Sequence, residues 1–153
     1  MPSTSPVSDL TEHLGYWLRY VSNHVSQAFA RKVEAHGVTV AEWVVMRQLL
    51  EADGLPPSRL AERMGMTRGA ISKLADRLVA KALLARTANP ADGRAHTLSL
   101  TPDGRALVPI LAALADANDA RFFDHLAPDD RAALLRILRE IVEMRGLSAV
   151  PVD

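Results

Sequence analysis

Apolar residues in this chain recur mostly at the spacing of helices and once, briefly, at the spacing of strands. From about Asp9 to Ala35 the positions Leu10, Leu14, Trp17, Leu18, Val21, Val25, Phe29 and Val33 keep one stripe for roughly seven helical turns, and Gly37 ends it. A stripe of that length exceeds what so small a domain can bury, so part of it is expected to pack on a second subunit. His13, Tyr16, Tyr20 and His24 form a second stripe beside the first, suited either to interface packing with polar tips near water or to the wall of a ligand pocket. Thr39 and Glu42 have the spacing of a capping box. They open a helix through about Ala52 that carries Trp43, Val44, Met46, Leu49 and Leu50, with Asp53-Gly54 closing it. Pro56-Pro57-Ser58 starts a short helix with Leu60, Ala61 and Met64 inward, and Gly65-Met66 makes the turn into the next.

That next helix, from Thr67 to Leu83, sorts into two faces. Ala70, Ile71, Leu74, Ala75 and Leu78 fall together at the 3.6-residue period, and Arg68, Gly69, Ser72, Lys73, Asp76 and Arg77 fall opposite, with Thr67 as the N-cap. Short side chains at Gly69 and Ser72 let the backbone approach a groove closely, while Arg68, Lys73 and Arg77 reach phosphates and base edges. Any solvated helix face can carry such charges, so the sequence that follows matters. Leu84 to Ala88 and Ala95 to Leu100 are short extended runs, and Asn89 to Arg94 between them contains Asn-Pro and Asp-Gly, both turn formers. The reading is a hairpin in which Asp92 and Gly93 hold Arg94 at the tip. A hairpin with a basic tip beside a basic helix is the sequence form of a winged helix-turn-helix, with the helix in the major groove and the wing at a neighbouring minor groove.

Thr101-Pro102 begins a helix to about Leu126 through Leu107, Ile110, Leu111, Leu114 and Phe122, and Pro109 inside it is expected to bend it. Pro128-Asp129-Asp130 opens the last helix, which runs through Leu134, Leu135, Ile137, Leu138, Ile141, Val142 and Met144 to Gly146. Its apolar band is wider than one facing surface requires, which fits burial against its own subunit and a partner. The fold class is mainly α with a small β-hairpin wing.

Composition narrows the function. With 153 residues, 48% hydrophobic and 24% charged, the chain reads as one globular domain. No apolar run approaches the roughly 18 residues of a membrane span, and Met1 to Asp9 lack the features of a signal peptide, so a cytoplasmic protein without membrane association is expected. The absence of cysteine excludes disulfides, thiol nucleophiles and thiolate metal sites. The net charge is zero, yet nine basic and four acidic residues make Ser58 to Arg105 +5, leaving −5 elsewhere. A basic middle between acidic ends is the footprint of a protein that presents one face to phosphate. There is no Gly-rich phosphate loop, nucleophile elbow or zinc-protease motif, and no two of the five histidines stand four apart on a helix. No enzyme activity, cofactor or metal is expected.

Asp92-x-Arg94-x-x-x-Leu98-x-Leu100-Thr101-x-x-Gly104, preceded by Ala61-Glu62-Arg63-Met64-Gly65 and Ser72-Lys73-Leu74-Ala75-Asp76-Arg77-Leu78, resembles the MarR family of winged-helix transcriptional regulators. The resemblance covers nearly the whole chain as a single domain over residues 1–153. It implies dimerisation helices at 9–36 and 103–146 around a winged helix-turn-helix lobe at 38–102, and a homodimer on a pseudo-palindromic double-stranded operator. The DNA-binding residues are then Arg68, Gly69, Ser72, Lys73, Arg77, Asp92 and Arg94. It further implies a repressor released by a small aromatic or amphipathic effector bound between the dimerisation helices and the lobe, where Tyr20, His24, Trp43 and Arg47 have the polar-aromatic character such a pocket needs. The alternatives are an effector-independent DNA-binding protein and a winged-helix module used only for protein association. Clustered charge at Arg94 and along the middle segment favours DNA over the second of these.

Overall fold

The computed structural model describes residues 6–52, 54–89 and 92–152, and leaves out the side chains of 89 and 92–95. Six helices and one hairpin follow in order: α1 Leu14–Glu34, α2 Val40–Leu49, α3 Pro57–Met64, α4 Arg68–Ala80, β1 Leu84–Asn89, β2 Asp92–Leu100, α5 Pro102–Phe123 and α6 Pro128–Met144. The expected first helix is interrupted. Leu10–Glu12 form a separate 3₁₀ turn and His13 is extended at φ −90° and ψ 123°. Local polar bonds explain the break: Asp9 N–H donates to Glu12 Oε2 at 2.7 Å, and Trp17 Nε1 reaches back to the Thr11 carbonyl at 3.0 Å.

The capping box of α2 forms as its spacing predicts, with Glu42 N–H donating to Thr39 Oγ1 at 3.1 Å and Thr39 N–H to Glu42 Oε1 at 3.0 Å. The helix stops at Leu49, short of the expected Ala52, in turn-type bonds from Leu50 and Ala52; Asp53 lies outside the described residues. Gly65 ends α3 in the left-handed region at φ +62°, and Thr67 caps α4 by accepting from Ala70 N–H at 3.1 Å. The α4 helix closes through Ala82 at φ +59°, whose carbonyl accepts the Thr101 hydroxyl at 2.7 Å while Thr101 also caps α5. Helix α5 continues unbroken through Pro109 and ends at Phe123, before the expected Leu126.

The hairpin is antiparallel, with Leu84 opposite Leu100 and Ala88 opposite His96. Its far end corrects the sequence reading. Asn89 pairs with Asp92, so β2 begins three residues before Ala95, and residues 93–95 fall in a bulge opposite the Ala88–Asn89 step. Asp92, Gly93 and Arg94 are therefore part of the strand backbone; residues 90 and 91 lie outside the described residues. Leu55 adds a one-residue third strand, exchanging backbone bonds of 2.9 and 2.8 Å with Leu98.

Among the described residues the buried core cluster runs from Val33 to Leu111, through Met46, Leu49, Leu60, Met64, Ile71, Leu78, Leu98 and their neighbours. It is the core of the lobe. Helix α6 has no buried residue, and the first half of α1 has none either. Leu14, Trp17, Leu18 and Val21 on α1 and Leu134, Leu135, Ile137, Leu138, Ile141 and Val142 on α6 are all exposed. After α6 the chain returns to the lobe: Val150 N–H donates to the Met64 carbonyl at 3.1 Å, and Val150 and Val152 pack on the core. That bond satisfies one of the carbonyls that the end of α3 leaves without a helical partner.

Candidate nucleic-acid interface

Helix α4 divides as its period predicts. Ile71, Leu74, Ala75 and Leu78 are buried, while Arg68, Gly69, Ser72, Lys73, Asp76 and Arg77 are exposed. A Cβ placed on Gly69 would meet no atom within 4 Å, so the front of the helix is open to close approach. Among the described residues, Arg68, Lys73 and Arg77 have no ion-pair partner. Their charge is free for an external anion.

Three other cations of the basic segment are paired within the protein, Arg59 with Glu62 one turn away on α3 at 3.8 Å and two with partners further off. Arg86 on β1 pairs with Asp76, joining the wing to the helix and removing the one negative charge from the exposed face of α4. Lys81, at the C-cap of α4, donates through Nζ to both carboxylate oxygens of Glu42 at 2.8 Å. The Glu42 side chain has no solvent exposure, and Lys81 keeps 38%. Burial pushes the Glu42 pKa up, but the hydrogen bonds from Lys81 and Thr39 and the Lys81 charge outweigh it, so the carboxyl titrates below its usual range. Sequence reasoning took Glu42 only as a cap. Its 39-residue separation from Lys81 carries no periodic signal, so the pairing was not visible there.

The wing residues Asp92, Gly93 and Arg94 are placed by backbone alone. The four candidate effector residues fall into two groups. Tyr20 stacks on His24 with ring centroids 5.3 Å apart, on an exposed face of α1 that also carries Tyr16 and Trp17. Trp43 instead meets Phe29 edge-on at 6.5 Å. Tyr20 and Phe29 lie about 180° apart on α1 at 3.6 residues per turn, so within one protomer the two groups occupy opposite sides of that helix. Arg47, one turn beyond Trp43, pairs with Glu51 at 3.4 Å and lines an open polar cleft of about 510 Å³ with Gln48, Glu51, Ala52 and Arg63. A polar residue that the sequence reading passed over links α1 to α5: buried Asn118 donates to the Val25 carbonyl at 3.2 Å and accepts from Lys32 at 3.1 Å. Among the described residues there is no cluster of three or more metal-binding side chains, and no helix is long and apolar enough to cross a membrane.

A family model described as MarR family matches residues 36–95. The HTH-type transcriptional repressor MdtR of Bacillus subtilis is 30% identical over 126 residues, which is 82% of this chain and 81% of that protein. Among solved structures, a probable transcriptional regulator from Pseudomonas aeruginosa matches with a TM-score of 0.77 and 26% identity, over 87% of this chain and 99% of that one. Bordetella bronchiseptica BpsR, whose DNA binding is regulated by 6-hydroxynicotinic acid, matches with a TM-score of 0.77 and 27% identity, over 88% and 96%.

Proposed function

Because the chain belongs to the MarR family of winged-helix transcriptional regulators, we propose that it is a sequence-specific, dimeric DNA-binding repressor released by a small-molecule effector. The observation that carries the reading is the exposed face of α4, where three unpaired cations surround an open Gly69 on a helix whose other face is buried. A second copy of the chain accounts for the exposed apolar residues of α1 and α6, which one protomer leaves in water. Two α4 helices related by a two-fold axis then enter successive major grooves of a pseudo-palindrome, with the wings in flanking minor grooves.

The residues we assign to DNA are Arg68, Gly69, Ser72, Lys73 and Arg77 on α4 and Asp92 and Arg94 on the wing. For the effector we assign Trp43 and Arg47, one turn apart on α2, and Tyr20 and His24 on the face of α1 that dimerisation covers. An effector that prefers the dimer spacing misfitted to DNA weakens operator binding by linkage. The regulation of BpsR by 6-hydroxynicotinic acid makes aromatic carboxylates the first compounds to test.

The deciding experiment selects duplexes from a random-sequence library with the purified protein, then compares wild type with the Arg68→Ala/Lys73→Ala/Arg77→Ala variant. Loss of retention with an unchanged melting temperature is expected, since all three side chains are exposed. Undiminished binding by the triple variant removes α4 from the groove.

A further inference from the structure

The seat of α4 in the lobe is made of two kinds of contact. Ile71, Leu74, Ala75 and Leu78 supply an apolar bed. Apolar burial is non-directional, so such a bed fixes the pitch of a helix less sharply than a directional bond does. The Lys81–Glu42 pair is directional. Both carboxylate oxygens take a 2.8 Å bond from one ammonium, and Oε1 takes another from Thr39 N–H at 3.0 Å. Charge-assisted bonds of this length tolerate little displacement. The pair differs from Asp76–Arg86, whose carboxylate is 68% exposed and whose contribution water reduces.

The position of the pair gives it leverage. Lys81 is about 20 Å from Arg68 along α4 at 1.5 Å per residue. A tilt of about 10° about that end moves Arg68 by roughly 3 Å, as much as the whole length of a hydrogen bond. On the other side of the pair, the residue after Glu42 is Trp43, packed on Phe29 of α1. One turn of α2 thus touches both the helix that carries the exposed apolar stripe and the end of the helix that carries the free cations.

We propose that Glu42 and Lys81 are positioning residues for DNA recognition: the buried carboxylate at the start of α2 holds the end of α4 and sets the pitch at which Arg68, Lys73 and Arg77 meet the groove. This rests on the DNA-binding reading given above. Lys81 itself does not serve a phosphate, because doing so would leave a buried carboxylate unpaired.

The test uses the full-length dimer, one duplex selected by wild type from a random library and one of scrambled sequence, with affinities measured over a salt series. The Glu42→Gln/Lys81→Met variant removes both charges together, so no carboxylate is left alone in the interior. It is expected to lose about tenfold on the selected duplex, the worth of one good base contact. On the scrambled duplex it should lose little, and the slope of log Kd against log salt should stay that of wild type. Lys81→Arg, which keeps the charge and changes the reach, should show the same loss of discrimination with the same slope. Either variant binding the selected duplex as wild type does overturns the proposal. So does an equal loss on both duplexes with the slope lowered by about one for each Lys81 removed, which identifies Lys81 as a phosphate contact. An Arg77→Ala variant is run alongside: wild type without duplex preference, together with a silent Arg77→Ala, refutes the DNA-binding reading itself.

Discussion

Replacing Glu42 by Gln tests which of two opposing effects governs the buried carboxylate. Burial favours the protonated acid, while the bonds from Lys81 and Thr39 favour the ion, and the second effect prevails. The variant keeps the shape and an acceptor but removes the charge that Lys81 Nζ faces at 2.8 Å. A hydrogen bond to a charged group contributes roughly 1.5–3 kcal/mol. Lys81 is 38% exposed and can turn to water instead, so about 1–2 kcal/mol is expected at neutral pH after that screening. For a chain of this length that is roughly 2–8 °C in Tm. The sign of the pH dependence follows from the direction of the shift. A carboxyl whose pKa is depressed by folding stabilises the native state above the unfolded value near 4.3, and the contribution is lost as pH falls through the folded value. Urea unfolding of wild type and Glu42→Gln at one fixed protein concentration, from pH 8 down to pH 3.5, should give a stability gap that is level down to about pH 5 and closes below about pH 4.3. Other carboxylates titrate alike in both proteins and cancel in the difference. A gap that widens on acidification means that Glu42 folds as the neutral acid, and the ionic tie to α4 is then wrong.

Three further outcomes are expected. Gly104→Ala places a Cβ 2.2 Å from the Leu83 carbonyl oxygen, with Leu100 Cδ2 at 3.2 Å; α5 must shift against the hairpin, and thermal melting should register a loss of about 3 kcal/mol. Leu138→Asp puts a charge into the exposed apolar face of α6 and should convert the dimer to a monomer by light scattering, whereas an unchanged dimer mass places the interface elsewhere. Deleting residues 148–153 uncovers the Met64 carbonyl and lifts Val150 and Val152 from the core, so urea unfolding should show a loss of about 2 kcal/mol; wild-type stability would mean that the docked segment contributes nothing.

The parts of this molecule that were legible in the sequence are those governed by neighbours three or four residues apart. Thr39 with Glu42, Thr67 before α4, and the two faces of α4 all follow rules of that range, and all form as read. The break at His13 also has local causes, in Asp9, Glu12 and Trp17. The apolar spacing of Leu10, Leu14, Trp17 and Leu18, which continues across the break, masked it. The second strand of the wing was read from Ala95 and begins at Asp92, for a chemical reason. Asn-Pro and Asp-Gly both mark turns, yet Asp92 and Gly93 stand in β2, whose pairing with β1 shifts between Ala88 and Asn89. What the sequence could not show are single contacts between distant segments: Leu55 with Leu98, Glu42 with Lys81, Val150 with Met64. None of these recurs along the chain, so no period announces it. They nevertheless decide where the termini of α3 and α4 are held.

Those distant contacts also change the electrostatic reading. The +5 of residues 58–105 counts Lys81 as free, but its partner Glu42 lies outside that segment, so the charge presented is one unit less per protomer. Arg86 and Asp76 cancel within the segment. The cations of α4 left for phosphate are Arg68, Lys73 and Arg77, which makes at most six contacts from a dimer through its recognition helices. Counterion release then sets a slope of log affinity against log salt of about −5, or nearly a thousandfold loss between 50 and 200 mM. If Arg94 of each wing also reaches a phosphate, the slope steepens to about −7, and Arg94→Ala should return it to about −5. Base contacts made by any of the three α4 cations lower these values without altering the difference that Arg94 makes. Titrating the selected duplex at four or five salt concentrations measures both numbers. A slope shallower than about −2 would mean that the exposed face of α4 does not meet the phosphate backbone. A slope that is the same with and without Arg94 would leave the wing off the DNA.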